Sequence, residues 1–154
     1  MNSNHSPEHV GLQADLRLFE AIVEQTPEAI IFADCDGWVQ VWNRGAEAVF
    51  GFSAAEVIGC SLDVIIPERF RRAHWEGFRQ AIASGCTQHG SHVRTTRAAH
   101  KLGHRLCVDL SFGLVTNAAG SVIGSVAVGR ECSERYLSVK ALRERLAELE
   151  RKAS

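Results

Sequence analysis

The chain has 154 residues, 45% of them hydrophobic, and 17 Lys and Arg stand against 18 Asp and Glu for a formal net charge of −1 with histidine neutral. This is room for one domain with a genuine core plus short extensions, and it is too apolar for a disordered chain. The charge balance supplies no basic field for nucleic acid, no apolar run reaches the roughly 18 residues of a membrane span, and the N-terminus lacks the pattern of a secretory signal, so a cytoplasmic protein is expected.

Helical spacing comes first. Leu12, Leu16, Phe19 and Val23 mark an amphipathic helix in "LQADLRLFEAIVEQT", which Pro27 closes. Two β-prone runs, "EAIIFAD" and "WVQVWN", are joined by "CDG", and Asp-Gly between such runs predicts a hairpin. "RGAEAVFGF" reads as a short helix stopped by Gly51. Ser53, with Glu56 three residues on, forms a capping box for the next one. Pro67 opens a longer helix, "ERFRRAHWEGFRQAIASG", which Gly85 ends. Beyond Gly85 the residues become β-branched, with turn-like breaks at "HKLGH" and "TNAAG", and three consecutive antiparallel strands are predicted.

The final "SERYLSVKALRERLAELERKAS" is helical, with Val139, Leu142, Leu146 and Leu149 in a heptad seam. Two heptads are too short to hold a dimer alone. They suit a helix that leaves a domain and pairs with its copy, so a homodimer is expected. The order of elements predicts an α+β fold, a five-stranded antiparallel sheet with helices on one face and helices flanking it at both ends.

The five cysteines, Cys35, Cys60, Cys86, Cys107 and Cys132, stand singly and are odd in number. That argues against a disulfide framework, a zinc ribbon or covalently attached haem, and they read as reduced packing residues. His100 and His104 have helical metal spacing but fall in a turn. His5 and His9 read as exposed tail residues, and Trp38, Trp42 and Trp75 as packing or dimer-surface residues. No nucleophile–base pair, phosphate-binding loop or catalytic carboxylate pair is evident, so no catalysis is expected of the chain itself.

The stretch "WNRGAEAVFGFSAAEVIG" resembles the PAS domain family: an Asn closing the second strand, a helix, an aromatic-Gly-aromatic step and "E-V-I-G". "VAVGRECSER" is similar to the family's "R-D-x-T-E-R" exit into a signalling helix. Glu131 and Cys132 stand there in place of the Asp and its apolar neighbour, which leaves the usual cap without its Asp. The resemblance implies an N-terminal extension at 1–17, a PAS sensor domain at 18–134 and a coiled-coil-like signalling helix at 135–154. It implies a downstream kinase, cyclase or phosphodiesterase, or regulator; the charge balance and the lack of a long apolar run lead to the expectation of no nucleic-acid or membrane partner.

PAS domains share a fold and differ in ligand. The flavin-photoadduct subgroup needs "N-C-R-F-L-Q" soon after "V-I-G". "GCSLDVIIPERF" stands here, with Cys60 too early and the Asn, Arg and Gln missing. None of the cysteines matches a coumaroyl attachment site. "IIPERFRRAHWEGFRQAIASG" instead resembles the helix of FixL-like haem-PAS oxygen sensors and the related phosphodiesterases, in which a histidine binds the iron of haem b. His74 falls on that position, Arg94 on that of a distal arginine that hydrogen-bonds bound oxygen, and Leu110 and Phe112 on apolar distal positions.

The residues are compatible with this. Neutral imidazole is a good haem-iron ligand. Phe70 and Phe78 share a helix face with His74 at i±4, and Ile65 adds apolar surface. His92 and Arg94 are expected on one side of a strand, with His92 able to occupy the sixth position and His89 as a fallback. The expected function is a gas sensor for O2, CO or NO that signals through the C-terminal helix. A cofactor-free interaction module and a pocket for a small metabolite or non-covalent flavin remain the alternatives.

Overall fold

A computed structural model describes residues 8–88, 90 and 92–153, with side chains from residue 15 onward. His5 and His89 lie outside the described residues, as do the side chains of His9 and Leu12. Helix α1 spans Glu8–Gln25, followed by strands β1 (Ala29–Asp34) and β2 (Val39–Trp42). Next come α2 (Arg44–Phe50), α3 (Ala54–Val57), a 3-10 turn at Leu62–Val64 and α4 (Glu68–Ser84). Strands β3 (Arg94–Ala99), β4 (Arg105–Thr116) and β5 (Val122–Glu131) lead into α5 (Ser133–Ala153).

All five strands form one antiparallel sheet in the order β2-β1-β5-β4-β3, so the last strand of the chain lies at its centre beside the first. The expected hairpin turns on Gly37 at φ 85°, and Gly51 and Gly85 close α2 and α4 in the left-handed conformation. At α3 the Glu56 carboxylate reaches back to the Ser53 backbone N–H at 2.8 Å, as the box motif predicts. The core lies between the sheet and α2–α4. Ile31 and Ala33 of β1 and Leu106, Val108 and Leu110 of β4 point into it at period 2. They meet Ala46, Phe50, Val57, Leu62 and Ile65.

Asn43 ties this arrangement to α1. It is buried at 1% exposure, and its Oδ1 accepts from the N–H groups of Ile30 (2.8 Å) and Ala46 (2.9 Å). Its Nδ2 donates to the carbonyls of Val23, Thr26 and Glu28 at 2.8, 3.3 and 3.0 Å. One side chain thus caps α2, fixes the start of β1 and closes the end of α1.

The entrance to α5 keeps a cap without the family's Asp. The longer Glu131 side chain accepts from the Ser133 N–H at 2.7 Å, and the Ser133 hydroxyl accepts from the Cys107 N–H at 2.9 Å. Asp109 of β4 binds the Thr95 hydroxyl of β3 at 2.5 Å and pairs with Arg135 in the first turn of α5. That network holds the Asp109 carboxyl below its usual range, with the Thr95 hydrogen bond the largest cause. Beyond this anchor α5 buries no residue: Leu142, Leu146 and Leu149 are exposed, as are Leu16 and Phe19 on α1.

Candidate functional site

The space between α4 and the sheet is incompletely filled. A cavity of about 140 Å³ lies beneath α4, walled by Ile31, Ala33, Ile65, Ile66, Leu110 and Ala127 among others. A wider cavity of about 440 Å³ adjoins it toward the start of β3. The two share Phe70, His74, Phe78, Thr96, Phe112 and Ser125 as walls. The wider one alone falls in the range of about 300–1,000 Å³ typical of small-molecule sites. Its α4 wall is low because Ala73, Gly77 and Ala81 recur at i+4, and a Cβ added at Gly77 would meet nothing within 4 Å.

His74 stands at the junction. Burial pushes its imidazole below the usual histidine value, against an opposing pull from the Asp63 carboxylate. Its Nδ1 is buried and has no hydrogen-bond partner among the described residues. The ring stacks with Phe78 at 6.0 Å and 29° and meets Trp75 edge-on at 4.9 Å and 80°. An unpartnered neutral imidazole in an apolar cavity costs stability, because a buried polar atom is left without compensation.

Six further residues singled out from the sequence gather around His74. Phe70, Phe78, Ile65, Leu110 and Phe112 line the inner cavity, and Arg94 lines the wider one. Leu110 and Phe112 share the inner face of β4, and Arg94 is the register partner of Leu110. Arg94 is exposed and makes no ion pair among the described residues. His92 differs from expectation. β3 begins at Arg94, so His92 lies in the preceding segment and does not alternate with Arg94 along a strand, although both line the wider cavity.

His100 and His104 stack ring on ring at 4.1 Å in the β3–β4 turn, where His100 Nδ1 accepts from the Leu102 N–H. No group of three or more metal-donor side chains exists among the described residues. Haem iron takes one or two protein ligands, so that count does not bear on His74.

The sequence reading missed three contributors. Thr96 and Ser125 bring hydroxyls to a largely apolar wall, a choice legible only once strand register is known. Asp63 accepts the Trp75 indole N–H at 2.8 Å from twelve positions away, with no motif to join them.

The sequence profile described as the PAS fold matches residues 17–132. The chain belongs to the PAS family. An uncharacterised protein of Azorhizobium caulinodans is 31% identical over 128 residues, 82% of this chain and 17% of that protein. The sensor protein FixL of Bradyrhizobium diazoefficiens is 35% identical over 54 residues, 35% of this chain and 11% of FixL. This PAS chain therefore spans a small part of the length of either relative. Among solved structures, the PAS domain of a Colwellia psychrerythraea protein superposes with a TM-score of 0.68 at 18% identity, covering 78% of this chain and 98% of that one. No helix among the described residues is long and apolar enough to cross a membrane.

Proposed function

We propose that this PAS domain is a haem-based sensor of a diatomic gas, O2, CO or NO, in which His74 holds the iron of haem b. The observation that carries the reading is His74 itself: an imidazole on a rigid helix, kept neutral by burial, at the junction of a small apolar cavity and a wider cavity of mixed lining. The resemblance of the α4 sequence to haem-PAS sensors and the partial likeness to a sensor protein support it.

The donor set fits the group. With Nδ1 enclosed, Nε2 is the ring nitrogen left to reach open space. Ile65, Phe70, Phe78, Leu110 and Phe112 supply the apolar enclosure that a macrocycle needs and exclude water from its faces. When bound, the haem would supply an iron with an open or exchangeable position for a gas. His92 lies where it could compete for that position, and Arg94 offers an unpaired guanidinium to a ligand carrying negative charge.

A shift of β3 reaches α5 through Thr95, Asp109 and Arg135, which join those elements directly. The role is to sense and relay, without a reaction of its own, as a homodimer whose α5 helices pair and act on a kinase, cyclase or phosphodiesterase, or regulator. The exposed apolar residues of α1 and α5 support the pairing.

Titration of the purified chain with haem tests the reading. Stoichiometric uptake with a Soret band near ~410–430 nm, lost in a folded His74→Ala variant, is expected. Equal uptake by His74→Ala removes His74 as ligand. Failure of both proteins to take haem, with the chain colourless as isolated, leaves the cofactor-free interaction module; a band near ~450 nm indicates flavin.

A further inference from the structure

Metal-binding histidines are usually oriented by a hydrogen bond from the second ring nitrogen to an acceptor. His74 lacks one: its Nδ1 has no partner among the described residues. Something else must fix the azimuth of the ring. Two aromatic rings flank it, Phe78 nearly parallel and Trp75 edge-on, and Trp75 and Phe78 contact each other at 5.4 Å and 76°. Phe78 is held by apolar packing alone. Trp75 is held by more.

The Trp75 indole N–H donates to Asp63 Oδ1 at 2.8 Å. Asp63 sits in the 3-10 turn, where its own N–H is bound by the Ser61 hydroxyl at 3.2 Å and its carbonyl accepts from Arg71 Nη2 at 3.1 Å. Arg71 lies one turn before Trp75 on α4 and also donates to the Ile66 carbonyl. On the far side the indole lies against the β1–β2 turn so closely that a Cβ at Gly37 would stand 2.2 Å from the ring. The indole is therefore wedged between hairpin, 3-10 turn and helix, and it meets the histidine at a near-perpendicular angle.

We propose that Trp75, anchored by Asp63, is the positioning residue that sets the orientation of the His74 imidazole, in place of the missing hydrogen-bond acceptor. As a statement about an iron ligand this rests on the haem reading above; as a statement about the ring it does not. It makes His74 a neutral, non-hydrogen-bonded ligand aimed by packing.

The test uses Trp75→Phe, which keeps a ring and loses the N–H, and Asp63→Leu, which removes the acceptor at a side chain 38% exposed. Asp63→Asn is the conservative rescue, since an amide oxygen still accepts the bond. Circular dichroism confirms folding in each. In cofactor-free protein, long-range 1H–15N spectra should show the His74 ring resonances shifted or broadened in Trp75→Phe and Asp63→Leu, and as in the parent in Asp63→Asn. In haem-loaded ferrous protein, the iron–histidine stretch should move or split in the first two variants and stay in the third.

Unchanged His74 resonances in both disruptive variants overturn the proposal, whether or not haem binds. An Asp63→Asn variant that behaves like Asp63→Leu overturns the hydrogen-bond anchor. Absence of haem uptake in the parent defeats the haem reading alone, and the cofactor-free spectra still decide the role of Trp75.

Discussion

Gly77 gives a prediction in which stability and ligand capture move in opposite directions. It sits mid-way along α4, one turn after His74, on the low wall of the wider cavity with free space around its missing Cβ. A glycine in a helix interior costs about 1 kcal/mol relative to alanine. Gly77→Ala should therefore stabilise by about 1 kcal/mol and raise the Tm by about 2–4 °C for a chain of this size. Gly77→Leu keeps most of that gain, since leucine is nearly as good a helix former, and partial burial of its side chain in the cavity adds about 1 kcal/mol. A total near 2 kcal/mol is expected, a rise of about 4–8 °C.

The same leucine occupies the space a large ligand needs. Losing about 60 Å² of apolar contact at about 25 cal/mol/Å² costs about 1.5 kcal/mol, slightly over a factor of ten in affinity. Gly77→Leu should thus bind haem at least about tenfold more weakly while Gly77→Ala binds as the parent does. Thermal unfolding by circular dichroism and haem titration at the Soret band measure the two effects. A destabilised Gly77→Leu refutes the open wall. A stabilised Gly77→Leu with unaltered uptake refutes the use of the wider cavity by the ligand.

Asn43→Ala strands the part-buried Ile30 N–H and uncaps α2, about 2 and about 1 kcal/mol respectively, so urea unfolding should show a loss near 3 kcal/mol at unchanged m; a loss under about 1 kcal/mol contradicts the hub. His74 has a lowered pKa in the folded chain, so its contribution is present above the unfolded value near 6.5 and is lost as pH falls through the folded value. Cofactor-free protein should lose stability below pH ~6.5 more steeply than His74→Gln, by up to about 1.4 kcal/mol per pH unit, and parallel pH curves would contradict the buried neutral imidazole. Sedimentation should find a dimer for the whole chain that is weakened by ending it at Arg135 and by Leu142→Lys or Leu146→Lys, because both leucines are exposed on α5; a monomer at tens of micromolar excludes the pairing.

What was legible in the sequence was local. Asp36-Gly37 announces a hairpin, Gly51 and Gly85 the ends of two helices, and Glu56 the start of a third, because each signal acts within three or four residues. His74 became a candidate through the resemblance of its helix to that of haem-PAS sensors, with Phe70 and Phe78 one helical turn to either side of it. The order of elements gave five antiparallel strands in one sheet, but periodicity alone could not order them, since β5 pairs with β1 across most of the chain.

Only the tertiary structure decided the rest. It began β3 at Arg94 and so left His92 off the strand. It showed the Glu131 carboxylate accepting from the Ser133 N–H at the entrance to α5. It joined Asp63 to Trp75, Asp109 to Arg135, and Asn43 to three carbonyls near α1. Each of these is a contact between residues far apart in sequence, made where two elements happen to cross. Hydrogen bonds and packing of that kind depend on where backbones come to lie in space, and spacing along a chain does not encode it.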